Sequence, residues 1–256
     1  MYLHSPDVKP NVLMRQCSFL GTEGYNVKNF WGYYENERYR VGCNGATVYI
    51  YDSENNELAR FKDVKYAYTA KFLPNTNTIV VKTTKGSLTV YSLDKLQLVK
   101  KIVITRIGAQ DEGFSFSPDG KFLYNIEKPN NSTQTQLTKY DTSNFEVAEI
   151  LFENDKNMCL EDIEFDITTG RCYILGFIRD ITGVYDYGFV GEFVKDRIEN
   201  NKKLDEKTYS YVQAYKSWER CGFTKKSLEW SRLKDVENIV PITLKEMFNA
   251  DCELSI

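Results

Sequence analysis

Histidine is almost absent from this chain of 256 residues, which contains only His4. Catalysis by a Ser-His-Asp or a Cys-His arrangement needs a histidine that is held inside the fold, and a histidine-rich zinc site needs several. The composition therefore excludes such a zinc site and argues against both classes of hydrolase. The chain also lacks a glycine-rich nucleotide-binding motif.

Long apolar runs and an excess of one charge are also missing. No run approaches the roughly 18 apolar residues of a membrane span, and residues 1–7 lack the basic start and apolar core of a signal peptide. The 33 basic and 36 acidic residues are intermixed, and the net charge is −3. Because no basic surface is expected to attract nucleic acid or an acidic membrane, we predict neither as a partner.

Paired cysteine motifs are lacking as well. The six cysteines are scattered without a CxxC pair: Cys17, Cys43, Cys159, Cys172, Cys221 and Cys252. This usage is typical of a reduced protein whose thiols are small core residues. We therefore expect a cytoplasmic location.

Aromatic residues, in contrast, are abundant. They make up 14% of the chain, with 18 tyrosines and 15 phenylalanines, and they favour strands over helices. In the clearest stretch, FSFSPDGKFLYNI at residues 114–126, two phenylalanines alternate with serines, as in a half-buried strand. Pro118 fixes φ and Gly120 supplies a positive φ, which predicts a tight turn before a second strand. Because no histidine is available to activate Ser117 or Asp119, we interpret this segment as a turn and not as a reactive loop.

The same plan returns at three other places. A first strand with an aromatic residue, a polar turn and a second strand recur around four anchors, which lie 39, 44 and 49 residues apart: Tyr33, Phe72, Phe116 and Phe165. In three copies a third strand then ends in an aromatic residue (TVYIYD, LTVYS and LTKYD), and a fourth strand follows after a short polar turn. The repeating unit is therefore four short strands, each antiparallel to the last because the links have hairpin length.

A four-stranded sheet of this size cannot bury both of its faces alone, and radial stacking of several sheets solves that problem. The repeat resembles that of the WD40-like β-propellers, and the Ser-Pro-Asp-Gly turn is similar to the repeat of TolB-type propellers. Tyr51-Asp52 and Tyr140-Asp141 occupy the place of the Trp-Asp pair, while a Gly-His pair is absent. The resemblance covers about residues 27–200 and implies an all-β propeller of four-stranded antiparallel blades, but it implies little about function.

We predict a single β-propeller domain over residues 1–256, with repeats near 27–63, 64–105, 110–153 and 159–216. Five blades are expected, and six blades or an incomplete ring are the alternatives. Residues 11–20 together with 217–256 are expected to close the ring.

The C-terminal part is less regular. Residues 207–216, KTYSYVQAYK, are interpreted as a strand, and 197–208 as a charged, solvated loop. Thr243, three residues before Glu246, gives a capping-box signal that predicts a short C-terminal helix.

The acidic run EDIEFD at residues 161–166 is the first candidate site. It lies on the innermost strand of the fourth copy, and alternation places Asp162, Glu164 and Asp166 on one face. Innermost strands line the central channel of a propeller, so these carboxylates could bind a hard cation such as Ca²⁺ or polarise a substrate. The plainer interpretation is that they face a wet channel without a specific role.

Aromatic residues and an insertion supply further candidates. Trp31 belongs to the run NFWGYY, which could form a recognition surface or part of the core between blades. The insertion at 179–189 is longer than the repeat requires, and its Tyr185 and Tyr187 could reach over the channel mouth or belong to an extended hairpin.

The leading hypothesis is a non-enzymatic interaction propeller that presents one rim of loops to a protein or peptide partner. Enzymatic activity is not favoured, and no catalytic residue, metal ligand or cofactor is predicted. The predicted binding residues are Asn29, Trp31, Tyr66, Glu112, Glu161, Asp162, Glu164, Tyr185 and Tyr187.

Two other classes stay open. The alternative is a propeller that binds a small molecule or a sugar, or a carboxylate- and metal-dependent hydrolase resembling the propeller lactonases. It predicts a divalent ion near Glu161, Asp162 and Glu164. The third class is a structural module of a larger assembly, and the sequence leaves the oligomeric state undetermined.

Overall fold

The computed structural model describes residues 30–106, 109–129, 134–152, 157–195, 197–231, 233 and 239–250. Within these residues, sixteen strands form four antiparallel sheets, and each sheet consists of four strands in chain order. The predicted four-strand unit is therefore confirmed.

The strands are short and follow one another through tight links. The first sheet contains β1 (Gly32–Glu35), β2 (Tyr39–Cys43), β3 (Val48–Asp52) and β4 (Glu57–Phe61). The second contains β5 (Ala67–Phe72), β6 (Thr78–Thr83), β7 (Ser87–Ser92) and β8 (Gln97–Val103). The third contains β9 (Phe114–Phe116), β10 (Phe122–Glu127), β11 (Gln136–Asp141) and β12 (Glu146–Phe152). The fourth contains β13 (Met158–Phe165), β14 (Cys172–Arg179), β15 (Tyr185–Val194) and β16 (Arg197–Leu204).

The Ser-Pro-Asp-Gly segment is the turn between β9 and β10. The Gly120 amide donates to the Ser117 carbonyl at 2.8 Å, and Gly120 has the positive φ of 72° that the turn requires. The Asp119 carboxylate accepts hydrogen bonds from the Ser117 hydroxyl and the Lys121 amide. Both polar side chains are thus used within the turn, as the interpretation of this segment predicts.

Each sheet packs on its neighbours through alternating side chains. In β6, Ile79 and Val81 belong to the core shared with the first sheet, whereas Val80 belongs to the core shared with the third. Ile126 and Ile163 lie together in the core between the third and fourth sheets. Burying an aliphatic side chain of this size contributes roughly 1.5–3 kcal/mol. The four sheets are therefore the blades of a β-propeller, as predicted.

The segment 207–216 is helical, and its prediction as a strand was wrong. It belongs to α1 (Glu206–Arg220), where Asp205 is the N-cap and accepts a hydrogen bond from the Thr208 amide at 2.9 Å. Four buried side chains recur at every third position and form one face of the helix: Tyr209, Val212, Tyr215 and Trp218. This helical period outweighs the alternation of Tyr209 and Tyr211 that suggested a strand.

The stretch 197–208 also differs from the prediction of a solvated loop. Residues 197–204 form β16, the outermost strand of the fourth blade, and pair with β15. Its charged side chains fit this position because an outermost strand has an open edge that solvent can reach.

Helix α1 lies between the fourth and the first blade. Its buried face packs on Tyr173, Leu175 and Val190 of the fourth blade. At its other end, the Tyr33 amide of β1 donates to the Cys221 carbonyl at 3.2 Å. In the described residues a helix therefore occupies the position where a fifth blade was expected.

Only some of the residues that were predicted to close the ring belong to the described part of the chain. Residues 11–20 lie outside the described residues. Of 217–256, the described part contains the end of α1, α2 (Lys225–Ser231) and α3 (Leu244–Asn249). The capping box of Thr243 and Glu246 at the start of α3 is confirmed.

Candidate functional site

An aromatic surface lies on the rim where the innermost strands begin. The Trp31 ring, just before β1, lies 5.4 Å from the ring of Tyr68 in β5 and 5.6 Å from that of Trp230 in α2. The rings of Tyr66 and Tyr68 lie 6.4 Å apart. We call these four residues the rim cluster. Trp230 is 71% exposed and Tyr66 is 48% exposed, so the cluster presents large aromatic side chains to solvent.

Backbone contacts hold the rim cluster in place. The Trp31 amide donates to the Cys43 carbonyl at 2.9 Å, and its carbonyl accepts from the Thr224 hydroxyl at 2.8 Å. Tyr66 has a positive φ of 60°, an unfavourable conformation for a bulky residue, and its carbonyl accepts from the Thr84 amide. Such strain persists only where the surroundings enforce it, so the backbone at Tyr66 is held in this conformation by its neighbours.

Two lysines add positive charge to the rim cluster. The Lys226 ammonium lies 4.3 Å from the centroid of the Trp31 ring, and the Lys85 ammonium lies 5.1 Å from that of Tyr66. Cation–π contacts of this kind keep the ring faces and the charges together. The predicted residues Trp31 and Tyr66 thus lie in one surface, whereas Asn29 lies outside the described residues.

A second candidate region is a cavity of about 270 Å³ at the centre of the ring, and residues of the acidic run form part of its lining. Strands β1, β5 and β13 and helix α1 all contribute to its wall. We call it the channel cavity, and its lining residues are Tyr34, Glu35, Ala70, Lys71, Phe72, Asp162, Ile163, Glu164, Lys216, Glu219 and Arg220. The predicted residues Asp162 and Glu164 therefore do face the channel.

Ion pairs cross the channel cavity from β13 to α1. Asp162 accepts from the Arg220 guanidinium at 2.5 Å, and Glu164 accepts from the Lys216 ammonium at 2.7 Å. Lys216 also donates to Glu219 at 2.8 Å. Burial lowers the pKa of Lys216, but the nearby carboxylates of Glu219 and Glu164 outweigh it and leave that pKa raised. Both cations sit one helical turn apart on α1.

Glu161 forms its hydrogen bonds with residues outside this network. It accepts hydrogen bonds from the Tyr209 hydroxyl at 2.6 Å and the Gln213 amide at 2.8 Å, and burial raises the pKa of its carboxyl. The three carboxylates that the calcium alternative needs are thus held by different protein groups. Among the described residues, no group of three or more His, Cys, Asp and Glu is placed to hold a metal ion, and the calcium site stays a prediction.

Glu112 lies inside the protein between the second and third blades. One of its carboxylate oxygens contacts the Lys128 ammonium, and the other is buried without a hydrogen-bond partner in the described structure. Its carbonyl accepts from the buried Lys82 ammonium at 2.6 Å, as does the carbonyl of Ile126. Burial lowers the pKa of Lys82 to about 8. Glu112 therefore makes its contacts inside the protein, and its side chain is not part of the exposed rim.

The insertion at 179–189 forms an extended hairpin. Asp180 accepts from the amides of Thr182 and Val184 and closes the turn between β14 and β15. The Tyr185 ring stacks on Tyr209 of α1 at 5.5 Å, and Lys203 lies over the Tyr187 ring at 4.3 Å. The two tyrosines are two positions apart in β15 and contact different neighbours.

Several site residues were missed in the sequence. Lys216, Glu219 and Arg220 belong to α1, whereas the sequence analysis interprets 207–216 as a strand and expects 217–256 to help close the ring. The N-cap Asp205 and the recurring apolar residues were the signals that could have identified the helix. Trp230 lies far from Trp31 in sequence, and nothing in the local pattern indicates that the two rings meet.

Comparisons with known proteins support the fold but assign the chain to no family. No family model matches the chain, and no curated protein matches it. A solved structure of hydrazine synthase from Kuenenia stuttgartiensis is similar, with a TM-score of 0.52 and 16% identity over 65% of this chain and 51% of that chain. The chain thus spans about half of the length of that structure, and at this identity the likeness concerns the fold alone.

Of the helices in the described part of the chain, none is both long and apolar enough to cross a membrane.

Proposed function

We propose that this protein is a non-enzymatic interaction module that binds a protein or peptide partner through the rim cluster. The observation that carries the proposal is the exposure of Trp230 and Tyr66 next to two further aromatic rings. Tryptophan and tyrosine are enriched among the residues that dominate binding energy in interfaces. Single exposed apolar residues are common on protein surfaces, but a contiguous aromatic group is not.

The fixed geometry of the rim cluster also favours binding. Ordering flexible side chains opposes association, and rings that are already held by neighbours lose less freedom. A partner removes from water only the part of each ring that is still exposed, which is larger for Trp230 at 71% than for Tyr66 at 48%, so we expect Trp230 to contribute more of the binding energy.

We also propose a relationship to the WD40-like and TolB-type propellers and a cytoplasmic location. The Ser117–Gly120 turn and the Tyr-Asp pairs at the ends of the third strands support the relationship. The four described cysteines are free, and three of them are buried, which suits a reducing compartment.

A peptide-display selection tests the proposed function. Peptides are selected on the wild-type protein alone, and the affinity of each enriched peptide is then measured for the wild type and for the double variant Trp230→Ala, Tyr66→Ala. We expect enriched peptides whose affinity is at least tenfold lower for the double variant, because two exposed anchors are lost; a tenfold change is about 1.4 kcal/mol.

The control is Ile181→Ala, which removes a side chain that is 99% exposed at the tip of the hairpin between β14 and β15. It should bind the same peptides as the wild type. If the selected peptides bind the double variant as well as they bind the wild type, the rim cluster is not the binding surface.

A further inference from the structure

Two lysines of the rim cluster have no acidic partner in the described part of the chain. Lys226 lies over the Trp31 ring at 4.3 Å, and Lys85 lies over the Tyr66 ring at 5.1 Å. Among the described residues, neither ammonium forms a salt bridge or a hydrogen bond. Because an ammonium has three hydrogen-bond donors, both lysines can still bind an anionic group that comes from outside the protein.

The aromatic rings of the rim cluster connect these two lysines. The Trp31 ring lies 5.4 Å from the Tyr68 ring, which in turn lies 6.4 Å from the Tyr66 ring. The order of contacts along the surface is therefore Lys226, Trp31, Tyr68, Tyr66 and Lys85. A ligand that follows this order meets a positive charge, then an aromatic stretch, and then a second positive charge.

The surface around the rings is basic, although the whole chain has a net charge of −3. Four segments carry the rim cluster and its lysines: 30–31, 62–68, 84–86 and 225–231. The Asp63 carboxylate in these segments already accepts a hydrogen bond from the Tyr91 hydroxyl at 2.8 Å. The segments contain more lysines than carboxylates, namely Lys62, Lys65, Lys85, Lys225 and Lys226 against Asp63 and Glu229.

Two observations favour carboxylates over phosphates as the anionic groups. Nucleic-acid bases bind to aromatic side chains by stacking on a ring face, and Lys226 and Lys85 each cover one face of their ring. The four segments also contain no arginine, the residue that clusters in sites for phosphorylated motifs because it binds phosphate in a bidentate way. A peptide carboxylate, in contrast, can contact each ammonium from the side away from the ring.

We propose that the partner of the rim cluster binds through an acidic peptide segment, in which an apolar residue packs on the exposed rings and carboxylates on either side of it contact Lys226 and Lys85. This proposal rests on the proposed function and specifies the chemistry of the partner. Lysine suits such contacts because its flexible point charge requires no fixed geometry. Complementary charges also steer the encounter of the two partners.

The peptides that are selected on the wild-type protein test the composition of the partner. We expect them to carry a net negative charge, with carboxylates on both sides of an apolar anchor. The tightest peptide is compared with its neutral counterpart, in which asparagine and glutamine replace the acidic residues, and the counterpart should bind about fivefold more weakly. Raising the salt concentration from about 50 mM to about 500 mM should remove most of this difference, because salt screens exposed charges.

The double variant Lys85→Gln, Lys226→Gln tests where the positive charges act. Each exposed ion pair contributes little to affinity, and a change of charge at the edge of an interface acts mainly on the association rate. We expect the association rate of the acidic peptide to fall about three- to tenfold in stopped-flow fluorescence, with a smaller change in the dissociation rate. Lys85→Gln alone, which changes an exposed turn, gives the result if the double variant does not fold.

The matched control is the double variant Lys95→Gln, Lys121→Gln, which removes the same amount of charge at the other ends of the blades. Lys95 lies between β7 and β8, Lys121 lies between β9 and β10, and both are exposed. This control should bind the acidic peptide as the wild type does.

Three results would overturn the proposal while leaving the rim cluster as the binding surface. One is that the peptides that require Trp230 and Tyr66 contain no excess of carboxylates. Another is that the neutral counterpart, or the variant of Lys85 and Lys226, binds as fast and as tightly as the acidic peptide binds to the wild type. The third is that a single-stranded RNA, or a peptide with phosphoserine in place of its acidic residues, binds to the rim cluster more tightly than the acidic peptide does.

Discussion

Lys82 shows what a single side chain contributes to the packing of two blades. Its ammonium extends from β6 of the second blade and donates to two carbonyls at the third blade, those of Glu112 and Ile126. Hydrogen bonds from a charged donor are stronger than neutral ones, but burial of the charge opposes them, and the lowered pKa shows that burial has the larger effect.

The pH dependence of stability should report this lysine. The pKa is about 8 in the folded protein and about 10.4 for an unfolded lysine, so between these values the unfolded chain binds more protons. Stability therefore rises with pH in this window, and the burial penalty is complete below pH 8. We expect the difference in unfolding free energy between wild type and Lys82→Met to move in favour of the wild type by on the order of 1–2 kcal/mol from pH 7.5 to pH 9.5.

Urea unfolding at the two pH values measures this difference. The variant loses two hydrogen bonds, so its stability at any one pH is not the informative quantity; the change with pH is. A difference that stays constant between the two pH values would show that Lys82 carries no depressed pKa.

At the scale of elements, α1 fills the space between the fourth blade and the first blade. Its buried side chains cover the face of the fourth blade that no other blade covers in the described structure. Gly188 of β15 lets the helix approach closely, because a Cβ there would lie 2.0 Å from the Tyr209 ring. The turn after the helix then contacts β1, where a Cβ on Gly222 would lie 1.8 Å from the Tyr33 carbonyl.

Two tryptophans of this region provide a matched stability test. Trp218 of α1 is buried and its indole donates to the Thr224 carbonyl at 2.9 Å, whereas Trp230 is 71% exposed. We expect Trp218→Ala to lower the free energy of unfolding by about 3–5 kcal/mol and Trp230→Ala to lower it by less than about 1 kcal/mol. Chemical denaturation followed by circular dichroism compares them, and equal losses would contradict the role of α1 as a core element.

The sequence predicts the elements of the blades better than the element that closes them. In the repeats, alternating apolar residues and tight turns agree with each other, as in Phe114–Phe116 followed by Ser117–Gly120. In KTYSYVQAYK, Tyr209 and Tyr211 alternate as in a strand while Val212 and Tyr215 follow a helical period. The helix forms because packing on the fourth blade stabilises the conformation in which Tyr209, Val212 and Tyr215 share one face. This packing is a tertiary effect, so the local sequence pattern does not reveal it.

At the scale of the whole molecule, both candidate sites combine residues that are distant in sequence. The Tyr34 hydroxyl of β1 lies 2.7 Å from the Arg220 carbonyl of α1 and 2.5 Å from the Tyr68 carbonyl of β5. This one residue therefore joins the first blade, the second blade and the helix beside the channel cavity. The carboxylates of β13 were predictable from alternation, but the cations that face them were not, since their approach depends on how the ring closes.

The central claim is that the rim cluster is where a partner binds. Site-specific photo-crosslinking tests it most directly, with p-benzoylphenylalanine placed at position 230 or at position 181 and the protein expressed in its native cells. We expect one dominant protein adduct at position 230, a strong loss of that adduct when Tyr66→Ala is added, and no such adduct at position 181. The same adducts at both positions, or an adduct at 230 that Tyr66→Ala leaves unchanged, would contradict the claim.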